Sequence, residues 1–436
     1  MKKIAIIGSG YTALSLAKKL VEEKSKDIEV TIFEKTDEIG GIAKCIDAYG
    51  TRLEKHYRHI FKSDKYVLEL LEDLGLSDKM QWPETKMAYY SEKGLYAFGT
   101  PFTLLKYKPL SFIEKMIFGF SIVKIKLMKD YKKIEKYTAE EWMIKNCGEK
   151  IYQKIWEPLL FSKFGNEKSK ISMSWLWGKI NLRSTSGTLE GERLGYLDGS
   201  YDVLTQKLNE FLLSNNCKIL LNEEVTKVSK ENNIFLLETK EGVKEKFDFV
   251  VNTACYDITK NIFDSNLTDE EKKKMENLKH TSAKTLVIYT TQSFSKFYWT
   301  NIGDKSIPFG GIIEHTNMID KEKYQGTNII YISNYMDKND KLFSMNENEL
   351  FDEYLPYLQK INPEFKKENV KKLEIYEELY AQPVITTNYS DSKIDEEITE
   401  KGIYMGTMAQ IYPEDRGMNY AIRTGYEIAD KILEKC

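Results

Sequence analysis

The residues best suited to chemistry begin at two glycines near the start of the sequence, in "IAIIGSGYTALSLAKKL". Gly8 permits a tight turn after a buried strand, and Gly10 lets the backbone approach a pyrophosphate held at a helix N-terminus. Ala13 stands where a third glycine usually lets helix and strand pack closely, and it adds only one methyl group. This spacing predicts a dinucleotide-binding turn, and by itself it leaves NAD, NADP and FAD open.

Glu34 and a second glycine pair narrow the choice of nucleotide. Glu34 ends the next strand of the pattern, where its carboxylate could accept hydrogen bonds from ribose hydroxyls and would repel the 2′-phosphate of NADP. Lys35 follows directly and is assigned to the same site. Gly40 and Gly41 could bring a second stretch of backbone against the nucleotide. Together with a glycine-bearing loop and helix at the end of the sequence, these features predict FAD as the cofactor.

Three side chains after the second glycine pair are the catalytic candidates. His56, Arg58 and His59 follow it at a distance that would place them beside the flavin ring. Imidazole titrates near neutral pH and suits proton transfer. Alternatively, either histidine packs and hydrogen-bonds under the ring. The H-x-x-H spacing lacks nearby partners of the metal-ligating kind, so no metal is expected.

Arginine is scarce, with six residues among 64 lysines and arginines. A guanidinium is a rigid bidentate fork that holds phosphate or carboxylate better than an ammonium does. We therefore predict that Arg416 or Arg423 contacts a phosphate or carboxylate of the cofactor or substrate. Arg58, Arg183 and Arg193 could clamp a substrate diphosphate. The alternative is that the six positions reflect chance.

Aromatic and charged residues alternate in "WEPLLFSKFGNEKSKISMSWLWGKINLRS". This mixture is typical of a ligand pocket with aromatic walls and a few charged anchors, and equally of a domain core. Trp156 and Arg183 of this segment, together with Arg193 and Tyr380, are assigned to the substrate site.

The order of the patterns predicts a discontinuous two-domain α/β protein. A strand at 3–7, a helix at 11–24 and a strand at 28–34 form a β-α-β unit, and mostly helical sequence follows from about 82 to 180. We expect a Rossmann-type FAD-binding domain from residues 1–80, 190–260 and 395–436. An inserted mixed α+β substrate domain is expected from residues 81–189 and 261–394.

Composition and charge limit the partners. The 436 residues carry a net charge of −3 with no basic run interleaved with aromatics, so no nucleic-acid partner is expected. Five widely spaced cysteines indicate free thiols in a reducing cytoplasm. The glycine turn follows the first residues so closely that a cleaved signal peptide is not expected. The expected partner is a small-molecule substrate, and nothing in the sequence indicates an oligomeric state.

Residues 111–133 form the most amphipathic segment. Ile113, Met116, Ile117, Phe120, Leu127 and Tyr131 share one helical face and lysines share the other. Such a helix could lie on an anionic membrane. We expect instead that its apolar face packs into the second domain, because Lys124 falls within that face.

On these motifs the sequence resembles the FAD-dependent amine oxidase and protoporphyrinogen oxidase superfamily over nearly its whole length. The matching pieces are "AIIGSGYTALSLA", "VTIFEKTDEIGG", "GYLDGSYDVLTQKL", "FDFVVNTA" and the closing "GIYMGTMAQIYPEDRGMNYAIRTGYEIADKI". The resemblance implies that Val225 contacts the adenine and Gly406 the pyrophosphate. It also implies that the helix starting near Met418 points its N-terminus at the flavin. No cysteine or histidine of the sequence stands in a position suited to covalent attachment, so non-covalent flavin binding is expected.

A shorter segment, "KHYRHIFKSDKYVLELLEDLG", is similar to the histidine-containing segment of UDP-galactopyranose mutases. Two functions therefore stay open. The favoured one is an FAD-dependent oxidoreductase that takes a hydride from a small organic substrate. The other is a non-redox flavoenzyme acting on a nucleotide sugar or a polyprenyl-linked compound.

Overall fold

The computed structural model describes residues 1–23, 27–91, 93–183, 187 and 191–436. Its first strand is the centre of a five-stranded sheet in which every pairing is parallel. In order across the sheet, the strands are Lys218–Leu220, Ile28–Phe33, Lys2–Ile7, Phe249–Asn252 and Ile403–Met405. This arrangement confirms the predicted α/β class with a Rossmann-type domain.

Successive residues of the central strand point into two different cores, as the two-residue repeat of a strand requires. Ile4 and Ile6 belong to a buried cluster with helices on one face of the sheet. Ala5 belongs to a second buried cluster on the opposite face. The helices are Tyr11–Glu22, Asp202–Ser214 and Met418–Leu433. The predicted first helix and second strand therefore form, with ends at Glu22 and Phe33, and Lys24 lies outside the described residues.

A three-stranded antiparallel sheet covers the other face. Its strands are Val225–Glu231, Ile234–Thr239 and Lys244–Phe247, and the helices Tyr256–Ile262 and Asp269–Asn277 follow in sequence. Phe263, Leu267 and Met275 share one buried cluster with Ala5 and Val225. The stretch just after residue 260 therefore packs with the nucleotide domain, although the domain boundary drawn from sequence assigns it to the substrate domain.

A seven-stranded sheet forms the body of the second domain. In order, its strands are Val370–Pro383, His280–Thr290, Asn328–Met336, Gly311–Glu314, Trp299–Ile302, Met87–Ser91 and Gly94–Ala97. Leu286 and Ile288 pack against the helix Glu347–Ile361, whereas Ala283 and Thr285 of the same strand face a cavity. The last two strands form a hairpin within a stretch that was expected to be mostly helical, because "MAYYSEKGLYA" is too short and too rich in tyrosine to show a helical repeat.

Helices build the remainder of this domain. They are Pro101–Lys106, Phe112–Leu127, Ala139–Cys147, Glu149–Ile151, the π-helical turn Tyr152–Trp156, Glu157–Phe164 and Met173–Arg183. Their shared core contains Trp142, Trp156 and Trp175. Single-turn 3-10 helices are Gly41–Ala43, Ser77–Lys79, Tyr131–Lys133, His315–Asn317, Lys321–Tyr324, Lys367–Asn369 and Met408–Gln410, and Gly165–Lys170 is a longer one.

Short elements connect the two domains. The helix Lys65–Asp73 and the hairpin Cys45–Ala48 with Thr51–Glu54 follow the second glycine pair. Two-residue strands pair Met80–Gln81 with Tyr196–Leu197 and Glu84–Thr85 with Glu192–Arg193, and a one-turn helix spans Tyr389–Ser392.

The helix Phe112–Leu127 forms as expected, but its predicted packing is wrong. A capping box between Ser111 and Glu114 starts it. Only a narrow stripe of Phe118, Ser121 and Ile125 is buried, against neighbouring helices. The face expected in the core is exposed, with Phe120 at 68%. Within the described ranges, no helix is both long enough and apolar enough to cross a membrane.

Candidate active site

The two glycine turns meet at the carboxyl end of the central strand. The Gly40 N–H donates to the Ser9 carbonyl at 3.0 Å, and a Cβ on Gly41 would lie 3.1 Å from the Gly10 Cα. Gly8 and Gly41 have φ of 95° and 56°, in the region that favours glycine. A Cβ on Gly10 would point into open space, with nothing within 4 Å. The turns therefore leave a backbone-lined cradle of the kind a pyrophosphate needs.

Glu34 is held in place at the end of the second strand. One carboxylate oxygen accepts from the Ser9 hydroxyl at 2.5 Å, and the other accepts from the Thr36 N–H and hydroxyl at 3.0 and 2.6 Å. The Glu34 carbonyl accepts from the Glu223 N–H, which places the start of the strand at Val225 beside it. Lys35, the next residue, is exposed. Glu34 and Val225 thus lie together, as an adenosine-binding pair would.

Ala13 and Gly406 lie where the first helix meets the last segment of the chain. Ala13 is fully buried, and a Cβ on Gly406 would lie 2.8 Å from the Thr12 methyl carbon. The first and last helices approach each other closely at Gly425, whose added Cβ would lie 2.3 Å from the Ser15 hydroxyl oxygen. Sequence reasoning missed Gly425, although a glycine inside a helix is a recognised signal of close packing.

The closing segment places its two arginines in different settings. Met418 begins the last helix, and Arg416 lies just before it in the cavity wall, donating to Gln382 at 3.1 Å and to the Tyr335 hydroxyl at 2.9 Å. Arg423 instead makes a bidentate pair with Glu414 at 2.9 and 3.1 Å. The carboxylate partner of Arg423 is thus the protein's own.

A cavity of about 1260 Å³ extends from the second glycine turn, at Ile42, to the helix Phe112–Leu127. One wall comes from the seven-stranded sheet, through Thr285, Trp299 and Ser333. The opposite wall comes from the helical region, including Trp156. Its size is that of a site for an organic ligand beside a cofactor ring.

His56 and His59 both line this cavity, with Arg58 between them. His56 Nδ1 lies 2.9 Å from the Thr285 hydroxyl, and His59 Nδ1 lies 3.1 Å from the Tyr298 hydroxyl. Burial, followed by the positive charges nearby, lowers the pKa of each imidazole to about 3. Both histidines are therefore neutral at pH 7, which disagrees with the expectation of a group poised to give up a proton near neutral pH.

Of the four residues predicted to bind substrate, two line this cavity and two lie elsewhere. Trp156 and Arg183 line the cavity, and the Arg183 guanidinium lies 5.2 Å from the Trp299 ring centroid. Arg193 is exposed and borders a separate shallow pocket with Lys62 and Trp82. Tyr380 packs against the His280 ring at 5.7 Å, and it is absent from the cavity lining formed by the described residues.

Two lysines also line the cavity: Lys163, a charged residue of the aromatic-rich segment predicted as a ligand pocket, and Lys179, which was not singled out from sequence. Lys163 and Lys179 each donate to the same Oδ2 of Asp415 at 2.8 Å. Burial alone would raise the pKa of Asp415, but Lys163, Lys179 and Arg416 hold it well below its ordinary value. In sequence Lys179 was one lysine among 58, so only the fold distinguishes it.

The fold and the cradle define an FAD-binding Rossmann protein with a separate substrate domain. The chain belongs to the family described as flavin containing amine oxidoreductases, whose model matches residues 14–433. This is a family of FAD-dependent oxidoreductases, and the cofactor of the chain is FAD.

Individual relatives are distant. The chain is 24% identical over 199 residues to protoporphyrinogen oxidase 2 of Arabidopsis thaliana, covering 43% of this chain and 38% of that protein. It is 22% identical over 281 residues to coproporphyrinogen III oxidase of Bacillus subtilis, covering 58% and 60%. The matched segments thus span from about two fifths to three fifths of the length of these relatives.

Among solved structures, cyclohexylamine oxidase from Brevibacterium oxydans superimposes with a TM-score of 0.76 at 13% identity, covering 100% of this chain and 99% of that one. Similarity at this level of identity shows the shared fold.

Proposed function

We propose that the chain is an FAD-dependent oxidoreductase that takes a hydride from an organic substrate held in the cavity. The observation that carries the proposal is the continuity of the site: the same cavity is lined by Ile42 of the second glycine turn and by Trp156 and Arg183 of the substrate domain. FAD, when bound, supplies the hydride acceptor. Gly8, Gly10, Glu34, Gly41 and Gly406 are the residues that would hold it.

The chain's own residues bind and orient the substrate rather than exchange protons with it near neutral pH. With a pKa of about 3, His56 and His59 are neutral and weakly basic at pH 7, so each can donate or accept a hydrogen bond but is a poor proton acceptor and has no imidazolium proton to release. The apolar walls exclude water from the reacting carbon or nitrogen. The names of the distant relatives, porphyrinogen oxidases and an amine oxidase, support oxidation at a C–H or C–N bond.

Anaerobic mixing of the FAD-loaded protein with candidate substrates tests this proposal. A porphyrinogen and a set of primary amines are suitable first probes. The proposal expects at least one C–H or C–N substrate to bleach the visible flavin band without added reductant. Bleaching that requires dithionite for every probe, with turnover seen only afterwards, contradicts it.

A mutase is the second candidate, and Arg58 and Arg183 in the cavity wall favour it. A reduced-flavin mutase would leave the flavin spectrum unchanged on mixing with substrate and would act only after prior reduction. Tight UDP-galactose binding that is lost in Arg58→Ala and Arg183→Ala would support it. Arg193, the third arginine expected in a diphosphate clamp, lies in the other pocket.

We propose a cytoplasmic location, which is supported by the five cysteines being free thiols. Cell fractionation with an antibody tests it, and recovery from the culture medium would contradict it.

A further inference from the structure

The charges that line the cavity are unbalanced. In the described part of the chain, seven lysine and arginine side chains face three carboxylates there. The two histidines add no charge at pH 7, because burial keeps the pKa of each at about 3. A largely apolar cavity with excess positive charge is costly unless an anion enters it.

The excess is concentrated at Asp415. One oxygen of this carboxylate accepts hydrogen bonds from both Lys163 and Lys179. The other oxygen accepts from the Trp175 indole N–H at 3.0 Å. One negative charge cannot neutralise two ammonium groups. Burial lowers the pKa of Lys179 to about 8, with Asp415 opposing the shift, which is the response of a cation that lacks full compensation.

Arg183 adds a third cation on the same helix as Lys179. Among the described residues, its carboxylate partner is Glu192, whose oxygen is 3.7 Å away, beyond hydrogen-bonding distance. Its Nη1 is 3.0 Å from the Met87 sulfur, which is a weak acceptor. A guanidinium in this setting retains capacity to bind an oxyanion in bidentate fashion.

We propose that Lys163, Lys179 and Arg183 form a subsite for a phosphate or carboxylate group of the substrate. The rest of the substrate lies along the apolar wall formed by Leu104, Phe118 and Leu159. The substrate class is thus an anionic amphiphile. That this ligand is a substrate rests on the proposed function, but its binding requires no turnover.

Calorimetric titration of the FAD-loaded protein with decyl phosphate, decanoate and decanol tests the subsite. Because hydrogen bonds to a charged head group are stronger than those to a neutral hydroxyl, one or both anions should bind at least roughly tenfold more tightly than decanol. Lys179→Met and Arg183→Met should each lose most of that preference while decanol affinity stays unchanged. Lys150→Met, at an exposed site in the same helical region, is the matched control.

Equal affinity of the wild-type protein for all three probes would overturn the subsite, as would a preference that survives in both variants. FAD content and thermal unfolding of each variant verify that it folds. Because the readout is binding, a failure to oxidise any substrate would count against the proposed function and not against the subsite.

The protein surface around the cavity opening is unusually apolar. Sixteen large hydrophobic side chains are exposed among the described residues, and nine of them fall within residues 102–127. Phe112, Ile113 and Phe120 are each about two thirds exposed or more, at 68%, 70% and 68%. Exposed apolar side chains concentrated in one short helical stretch are typical of an interaction site.

The charge around this surface is strongly positive. Residues 100–133 contain eight lysines and two acidic residues, whereas the whole chain has a net charge of −3. Both acidic side chains are engaged, Glu114 in the capping box and with Lys154, and Asp130 with the Lys132 N–H. A cationic rim around an apolar face complements an anionic lipid surface.

We propose that the apolar surface of residues 102–127 docks on an anionic bilayer. Leu105, Met116, Phe120 and Val123 are exposed and also line the cavity, so the cavity opens within this surface. A docked protein would therefore receive a lipid-soluble molecule directly from the membrane.

Sedimentation with vesicles tests the docking. The FAD-loaded protein should sediment with vesicles of phosphatidylcholine mixed with phosphatidylserine and remain free with phosphatidylcholine alone. Phe112→Ser combined with Phe120→Ser should weaken binding at least about tenfold, because the variant loses the burial of two aromatic rings in the bilayer. Leu213→Ser, which is 53% exposed on the nucleotide domain, is the matched control.

Wild-type protein that stays in the supernatant with both vesicle types would overturn the docking proposal. Concentration-dependent dimerisation in the absence of lipid, abolished by the same double substitution, would also overturn it and would assign the surface to a second copy of the chain.

Discussion

At the scale of single residues, the buried histidines have a measurable effect on stability. His56, His59 and His315 each have a pKa near 3 in the folded chain, against about 6.5 when exposed. The unfolded chain therefore binds more protons between these values. Stability from each histidine is complete above pH ~6.5 and is lost as the pH falls toward ~3. His315→Gln should reduce the slope of unfolding free energy against pH in this window by about 1.4 kcal/mol per pH unit.

Urea unfolding at several acidic pH values measures this slope. The substitution suits the site because His315 Nε2 lies 2.7 Å from the Tyr324 hydroxyl, where a glutamine amide could keep the contact. An unchanged slope would show that His315 titrates normally in the folded state.

At the scale of elements, the helix pair Tyr11–Glu22 and Met418–Leu433 depends on Gly425. A Cβ there would lie 2.5 Å from the Thr12 carbonyl oxygen as well as 2.3 Å from the Ser15 hydroxyl oxygen. Gly425→Ala should therefore destabilise the fold by about 1–3 kcal/mol. Gly119→Ala, in a helix with open space around the new Cβ, should be neutral or stabilising by up to ~1 kcal/mol.

Thermal unfolding of both variants compares the two helices directly. A Gly425→Ala protein as stable as Gly119→Ala would mean that the helices adjust without cost and that the close approach is not required.

The glycine cradle supports a separate prediction about the cofactor. A Cβ at Gly10 would meet nothing within 4 Å, so we expect Gly10→Val to fold while its side chain occupies the space the pyrophosphate needs and bound FAD falls at least about tenfold. Absorbance of the purified variant, with acid-released FAD measured by chromatography, provides the readout. Full FAD content would show that the turn has only a structural role and does not contact the cofactor.

Local patterns predicted the elements that hold the nucleotide. Gly8, Gly10 and Glu34 belong to one short β-α-β unit whose geometry follows from glycine turns and strand alternation, so their positions could be deduced. The helix Phe112–Leu127 was also predictable, but its packing was not, because a helical repeat does not reveal which face finds a partner.

The residues that line the substrate cavity could be predicted only in part, because they come from segments far apart in the sequence. Trp156 and Arg183 were identified from an aromatic-rich segment. Arg193 came from just after that segment and Tyr380 from the distant stretch "YEELYAQPV", and both lie elsewhere. Lys163 and Lys179 can be recognised as a pair only through their shared hydrogen-bond acceptor Asp415, which is more than 200 residues away in the chain. Contacts across such separations depend on the tertiary fold, which single-residue patterns do not encode.

At the scale of the whole molecule, the two domains bring a cofactor cradle and an amphiphilic cavity to one place. The most direct test of the account is the flavin spectrum of the purified protein during anaerobic addition of substrate candidates. We expect FAD to be released by acid, and a C–H or C–N substrate to bleach the flavin band with no added reductant. A flavin band that every candidate leaves unchanged, together with turnover of UDP-galactose only after chemical reduction of the flavin, would contradict the account.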